Sequence, residues 1–308
     1  MRDLNVQREA TGSRLAAMLG PSATVLMIAL YLVSPASADT MQFEGNAVFY
    51  EEHGTGDPVV LIHGYGANGA VWDEVVEALS EGHRVIVPDL LGFDRSARPL
   101  IDYDAGLYAR LIVSLMDHLE VPEADLIGNS MGGWVSMLVA SREPDRVRSL
   151  VLAAPAFYRG LPAEVSADDL ATGALPATRE GYVEYLDRVY FAPPEDLETI
   201  DEMYAANASA NDMHVLESLA TAFKAGRDVL SVEAIGAIAQ PTLLLQGDGD
   251  GVVEPDATAE LATTLPDARL MTFPDAGHWI QVEQPAAFLR SVLAFLNRDQ
   301  NSSDADRN

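Results

Sequence analysis

The chain predicts an α/β fold: a mostly parallel sheet with helices on both faces and an inserted helical cap. Three observations point to it. Short apolar runs alternate with stretches of helical periodicity, as strands joined by crossover helices do. The alternation breaks between 156 and 239, where helix formers and tyrosines stand in place of strands. Hydrophobic residues make up 48% and charged residues 21% of 308 positions, an ordered globular profile with enough chain for one core plus a cap.

The first 38 residues read as a separate leader. Arg2, Arg8 and Arg14 precede the apolar run 23–33, which leads into Ser34-Pro35-Ala36-Ser37-Ala38. A basic region, an apolar region and a small-x-small site follow one another in secretory signal peptides. Cleavage is expected between Ala38 and Asp39, with export to the periplasm or the exterior. No twin arginine precedes the apolar run, which favours the general secretion route. The alternative is an uncleaved membrane anchor, since 15–33 approaches a spanning length, although Gly20-Pro21 interrupts it.

In the mature chain, Val59-Val60-Leu61-Ile62 and Val85-Ile86-Val87 read as buried strands. Between them Trp72, Val75, Val76 and Leu79 share one helical face. Tyr108 to Leu119 is a second helix, with Leu111, Leu115 and Leu119 four residues apart. Leu126-Ile127, Leu150-Val151-Leu152, Leu243-Leu244-Leu245 and 269–273 are further strands, and Pro285 opens a final helix ending near Leu296. The expected divisions are a core in two parts, 39–155 and 240–298, a cap over 156–239, and a polar, disordered tail over 299–308. The cap residues Tyr158, Tyr182, Tyr185, Tyr190, Phe191, Met203, Tyr204 and Met213 serve either as an acyl pocket or simply as cap core.

Composition excludes several functions. With 47 acidic against 19 basic residues the net charge is −28, which repels nucleic acid and anionic lipid alike. Lys224 is the one lysine. Such a surface suits a salty medium or reflects a GC-rich genome. The absence of cysteine removes disulfides and thiolate chemistry but not export.

Gly128-Asn129-Ser130-Met131-Gly132 carries the chemistry. It follows a strand and precedes a helical stretch, and a serine on so sharp a turn projects its hydroxyl above the sheet. Chance supplies this pattern about 0.1 times in a chain of this composition. A serine hydroxyl needs a base. Of six histidines, His278 lies in a loop between the last strand and the last helix, where its side chain reaches the sheet's carboxyl edge. His63 sits at a strand end in His63-Gly64-Tyr65-Gly66 and suits a loop-shaping role. The imidazole in turn needs a carboxylate, and Asp248 and Asp250 both follow the preceding strand.

The order serine, aspartate, histidine, their strand-end positions and the glycine-rich turn resemble the α/β-hydrolase superfamily from Phe43 to Leu296. The resemblance selects Asp250 over Asp248 and implies an oxyanion hole from the backbone N–H groups of Met131 and Tyr65. It also likens Asp89-Leu90-Leu91-Gly92-Phe93-Asp94-Arg95-Ser96 to a family loop, with Asp94 where a glycine is common. No metal or organic cofactor is implied.

A serine at 130, where dehalogenases and epoxide hydrolases of this superfamily place an aspartate, implies acyl transfer to water. The leading expectation is a carboxylesterase or lipase-like enzyme acting on small, apolar, neutral esters. The alternative is a carbon–carbon bond hydrolase of the meta-cleavage-product type, which Gly128 to Gly133 and Gly277-His278-Trp279 resemble. Its carboxylate substrates need a cationic clamp, and the sequence places none among Arg159, Arg179, Arg188, Lys224 and Arg227. A third possibility is a non-catalytic binding protein on the same fold.

Overall fold

One eight-stranded sheet organises the chain: β1 (Ser37–Phe43), β2 (Asn46–His53), β3 (Asp57–Ile62), β4 (His83–Pro88), β5 (Ala124–Asn129), β6 (Val147–Ala153), β7 (Thr242–Gly247) and β8 (Ala268–Phe273). The structure, a computed structural model, describes residues 37–156, 158–160 and 165–298. The expected leader, apart from Ser37 and Ala38, and the expected tail lie outside the described residues. The strand order is β1-β2-β4-β3-β5-β6-β7-β8. Neighbours from β4 through β8 run parallel, and β1 and β2 join antiparallel.

The β1–β2 hairpin turns on Glu44 and Gly45, both at positive φ (48° and 81°), the backbone of a two-residue turn that matches strand twist. The sequence places no strand before Val59, because only Met41 and Phe43 of β1 are buried and the alternation is short. The central strands are buried on both faces. Val60 and Ile62 of β3 enter one core and Val59 and Leu61 the other, as the period of two requires.

Helices α1 (Asp73–Ser80), α2 (Ala105–His118) and α3 (Met131–Arg142) follow β3, β4 and β5. α2 begins three residues before the expected Tyr108, because the Asp104 carboxylate caps it by accepting from Leu107 N at 2.8 Å. In α3 ten of twelve residues are buried, so it is enclosed by protein rather than amphipathic.

Between β6 and β7 lie α4 (Ala167–Ala174), α5 (Arg179–Val189), α6 (Leu197–Ala210), α7 (Met213–Lys224) and α8 (Val232–Gly236). Ser166, Thr178, Asp196, Asp212 and Ser231 cap them in turn, each side chain accepting from a first-turn N–H. α7 buries Val215, Leu216, Leu219 and Phe223 in the main core, while Tyr182, Tyr185, Leu186 and Val189 of α5 form a smaller core with Ile200 of α6. α8 packs on α3 and on α9 (Pro255–Thr264), so the end of the inserted region belongs with the sheet layers. The chain closes with α10 (Ile280–Glu283) and α11 (Pro285–Leu296).

Candidate active site

The parallel strands β3, β5, β7 and β8 deliver four loops to one edge of the sheet, where ligands of open α/β sheets bind. Ser130 stands between β5 and α3 at φ 56° and ψ −119°, a conformation that costs a non-glycine residue on the order of 1–3 kcal/mol. The surroundings impose it. Ser130 N donates to Ala153 O at 2.9 Å, and Ser130 O accepts from Gly133 N and Ala156 N at 3.0 and 3.1 Å. A Cβ on Gly128 would overlap the Gly132 carbonyl, and one on Gly132 would overlap Ile62 O. Both positions flanking the serine must therefore be bare.

The β3 loop closes over this turn. A Cβ on Gly64 would lie 3.0 Å from Ser130 Cβ, which places Tyr65 beside the serine. Met131 opens α3, and first-turn N–H groups have no acceptor within their own helix. His63 is fully buried. Its Nε2 accepts from Leu90 N at 2.9 Å, so its Nδ1–H donates to Gly64 O at 2.9 Å. Burial pushes this imidazole below its usual range against the Gly64 bond and the Asp89 charge, which keeps it neutral and fits the loop-shaping role. Asp94, at the position where a glycine is common, itself takes φ 39°. Its N–H donates to Ala210 O at 2.8 Å at the end of α6, so the loop keeps a left-handed backbone without the glycine.

Asp250 follows β7. Its Oδ1 accepts from Val252 N and Val253 N at 2.8 and 2.9 Å, and its Oδ2 accepts from Gln246 Nε2 at 3.1 Å and from His278 Nδ1 at 2.9 Å. Burial raises this carboxyl, but the His278 charge and hydrogen bond and the two N–H groups outweigh it and hold the carboxyl below its usual range. An ionised carboxylate only accepts, so Nδ1 carries the proton and Nε2 is left as the acceptor. Asp248 does something else: its Oδ1 accepts from Asp275 N at 2.9 Å and shapes the histidine loop. Ser130, Asp250 and His278 are 5%, 8% and 4% exposed.

Two polar residues escaped the sequence reading as contributors. Gln246, buried in β7, holds Asp250 Oδ2 while its Oε1 accepts from Thr258 at 2.6 Å. Asn129 Nδ2 donates to Ala153 O and to His278 O, each at 3.1 Å, tying the serine turn to the histidine loop. A glutamine inside an otherwise aliphatic strand was the available signal for the first.

Ser130, His278 and Tyr65 line one cavity of about 300 Å³ with Leu170, Tyr185 and Trp279. Arg188 lines it too, which corrects the expectation that no cation could be placed there. Its guanidinium donates to Gly173 O at 3.3 Å, and among the described residues no carboxylate lies within ion-pairing distance of it. Of the cap aromatics, Tyr185 reaches the cavity. Tyr182, Tyr190, Met203 and Tyr204 pack in the cap core with Trp279, Tyr158 donates to Ala257 O at 3.0 Å, and Phe191 is half exposed.

Comparison with known proteins agrees with this architecture. The model of the alpha/beta hydrolase family matches residues 59–291. The chain is 33% identical over 260 residues to the 2-hydroxymuconate semialdehyde hydrolase of Pseudomonas sp. (strain CF600), covering 80% of this chain and 88% of that one. It is 31% identical over 256 residues to Lipase 3 of Moraxella sp. (strain TA144), covering 80% and 78%. Among solved structures it resembles a bacterial membrane phospholipase A with a TM-score of 0.75 and 27% identity, over 86% of this chain and 87% of that one. With its eight-stranded sheet, its strained serine turn and relatives of both hydrolytic kinds, the chain belongs to the alpha/beta hydrolase family.

Proposed function

We propose that the protein is a serine hydrolase that cleaves carboxylic esters through an acyl-enzyme on Ser130. The observation that carries this reading is one cavity shared by the strained serine and by a histidine already oriented by a buried carboxylate. Ser130 Oγ attacks the ester carbonyl while His278 Nε2 takes the hydroxyl proton. Asp250 keeps the imidazole in the required tautomer and stabilises its cationic form. The N–H groups of Met131 and Tyr65 receive the negative charge on the tetrahedral oxygen, each worth about 10²–10³ in rate. Nε2 then passes its proton to the departing alkoxide. A water molecule, deprotonated by Nε2, attacks the acyl-enzyme, and the proton returns to Ser130 as the carboxylate leaves. The cavity sits at the small end of the range of ligand pockets, about 300–1,000 Å³, and its mainly apolar lining, broken by Asp169 and Arg188, suits short acyl groups.

A second reading, carbon–carbon cleavage of a dienoate, gains support from Arg188, a cation in a cavity lining that also holds Asp169, and from the similarity to the semialdehyde hydrolase. The test is a p-nitrophenyl ester series from acetate to palmitate, beside a meta-cleavage dienoate, with wild type and Ser130→Ala. Ester turnover that disappears in the variant supports the esterase. Dienoate turnover with negligible ester turnover reverses the ranking. A folded protein that neither turns over substrate nor labels with a fluorophosphonate is a binding protein.

We also infer that the protein is exported. The order of basic, apolar and small residues in 1–38 supports this. Cleavage after Ala38 would remove two exposed residues from the start of β1 and leave 39–43 paired with β2. Mass spectrometry of the exported protein decides it: a mature N-terminus at Asp39 is expected, and a retained leader favours the anchor.

A further inference from the structure

We propose that Glu283 is a positioning residue which clamps the cap segment 188–191 onto the loops of Asp250 and His278, making this end of the cap a fixed strut of the acid–base pair. The inference rests on the reading of Asp250 and His278 as acid and base.

Each carboxylate oxygen of Glu283 holds a different piece of chain. Oε1 accepts from Gly277 N at 2.8 Å, next to the histidine. Oε2 accepts from Phe191 N at 2.7 Å, just past the end of α5. The backbone between these points reinforces the clamp. Val189 O accepts from His278 N at 2.7 Å, and Arg188 O accepts from Gly251 N at 3.2 Å. A short run of cap backbone is thus bonded to the base itself and to the residue after the acid.

The glycines around the acid and base show how tight this seating is. A Cβ on Gly277 would lie 2.5 Å from Val189 O and 2.7 Å from Phe191 N. One on Gly251 would lie 2.8 Å from Arg188 O, and one on Gly249 would overlap the Phe191 ring. The residues flanking Asp250 and the residue preceding His278 are therefore bare where the cap presses on them. Interiors packed this closely transmit displacement rather than absorb it. If the end of α5 lifted, it would strip His278 N and Gly251 N of their acceptors.

A carboxylate suits the task because both of its oxygens accept. Glutamine offers one acceptor and sets an NH₂ donor against the other N–H. The variant should keep the fold while loosening one side of the clamp. Misplacement by about 1 Å of groups in a reacting constellation can cost about 10²-fold in rate.

The experiment uses the full chain and compares wild type, Glu283→Gln and Ser130→Ala on p-nitrophenyl acetate. Two readouts are followed: kcat against KM, and the low-field proton resonance of the His278 Nδ1–H bonded to Asp250. In Glu283→Gln we expect kcat to fall about 10²-fold with KM little changed, and the resonance to broaden or shift. A folded Glu283→Gln with wild-type kcat and resonance overturns the proposal, whatever its thermal stability. If Ser130→Ala is as active as wild type, the triad reading fails on its own, and the resonance, which needs no substrate, still decides for or against the clamp. If Glu283→Gln does not fold, Phe191→Pro removes a cap-side donor together with the ring that packs on Gly249, and Phe191→Ala, which removes the ring and keeps the N–H, is its control. Tyr190, at φ −103° and ψ 145°, already has the backbone that precedes a proline. A loss of kcat and of the resonance in Phe191→Pro beyond that in Phe191→Ala supports the clamp, and equal values in the two variants overturn it.

Discussion

Asp250 Oδ2 lies 2.9 Å from His278 Nδ1 across 28 residues of sequence, and the same carboxylate is fastened by Val252 N, Val253 N and Gln246. Four hydrogen bonds thus fix the carboxylate's orientation. An amide in its place can present its NH₂ to Nδ1 and hold the wrong tautomer, so Asp250→Asn should lower kcat by about 10⁴. Asp248→Asn keeps an oxygen to accept from Asp275 N and should leave kcat near wild type. Steady-state assay of the two variants checks this; equal losses would mean that the histidine takes its orientation from elsewhere.

The depressed carboxyl of Asp250 also predicts a pH signature in stability. Its folded pKa lies below the unfolded one, so its contribution is fully present above the unfolded value, about 3.9, and is lost as pH falls through the folded value. The difference in unfolding free energy between wild type and Asp250→Asn should shrink as pH falls below about 4. Denaturant melts above and below that pH measure it. A difference that grew toward acid would show that the carboxyl is raised in the fold.

Gly132 tests whether the serine turn is shaped by close packing. Its added Cβ would overlap Ile62 O, which is backbone and cannot swing away, whereas a Cβ on Gly82 meets nothing within 4 Å. Gly132→Ala should destabilise by about 3 kcal/mol, and Gly82→Ala should stay within about 0.5 kcal/mol of wild type. Urea unfolding of the pair provides the comparison; near-equal midpoints would mean that the turn yields easily.

These packing facts explain what was legible in the sequence. The central strands were, because burial on both faces leaves uninterrupted aliphatic runs such as Val59 to Ile62. The serine turn was, because only bare residues pass at 128 and 132. β1 and β2 were not, since only Met41 and Phe43 of β1 and Val48 and Tyr50 of β2 are buried, and α9 was not, as only Thr258 and Leu261 of it are buried. Arg188 could not be placed, because its reach into the cavity follows from how α5 packs in three dimensions. Glu283, Gln246 and Asn129 act through backbone groups distant in sequence, which no local pattern encodes.

Arg188 separates the two substrate readings. It is exposed, so a pair between its guanidinium and a substrate anion is worth at most about 1 kcal/mol, near fivefold, and is weakened by salt. Arg188→Met keeps an apolar stem while deleting the charge. For an ester with a free carboxylate on its acyl end, the variant should raise KM about fivefold at low ionic strength, with a smaller effect in 0.5 M salt. For the uncharged ester of the same length KM should not change. Measured over both substrates and both salt conditions, that pattern would make Arg188 an anion partner and strengthen the dienoate reading. Equal KM values for charged and neutral esters in wild type and variant would instead leave Arg188 a surface residue at the mouth, and the apolar lining would govern choice of substrate.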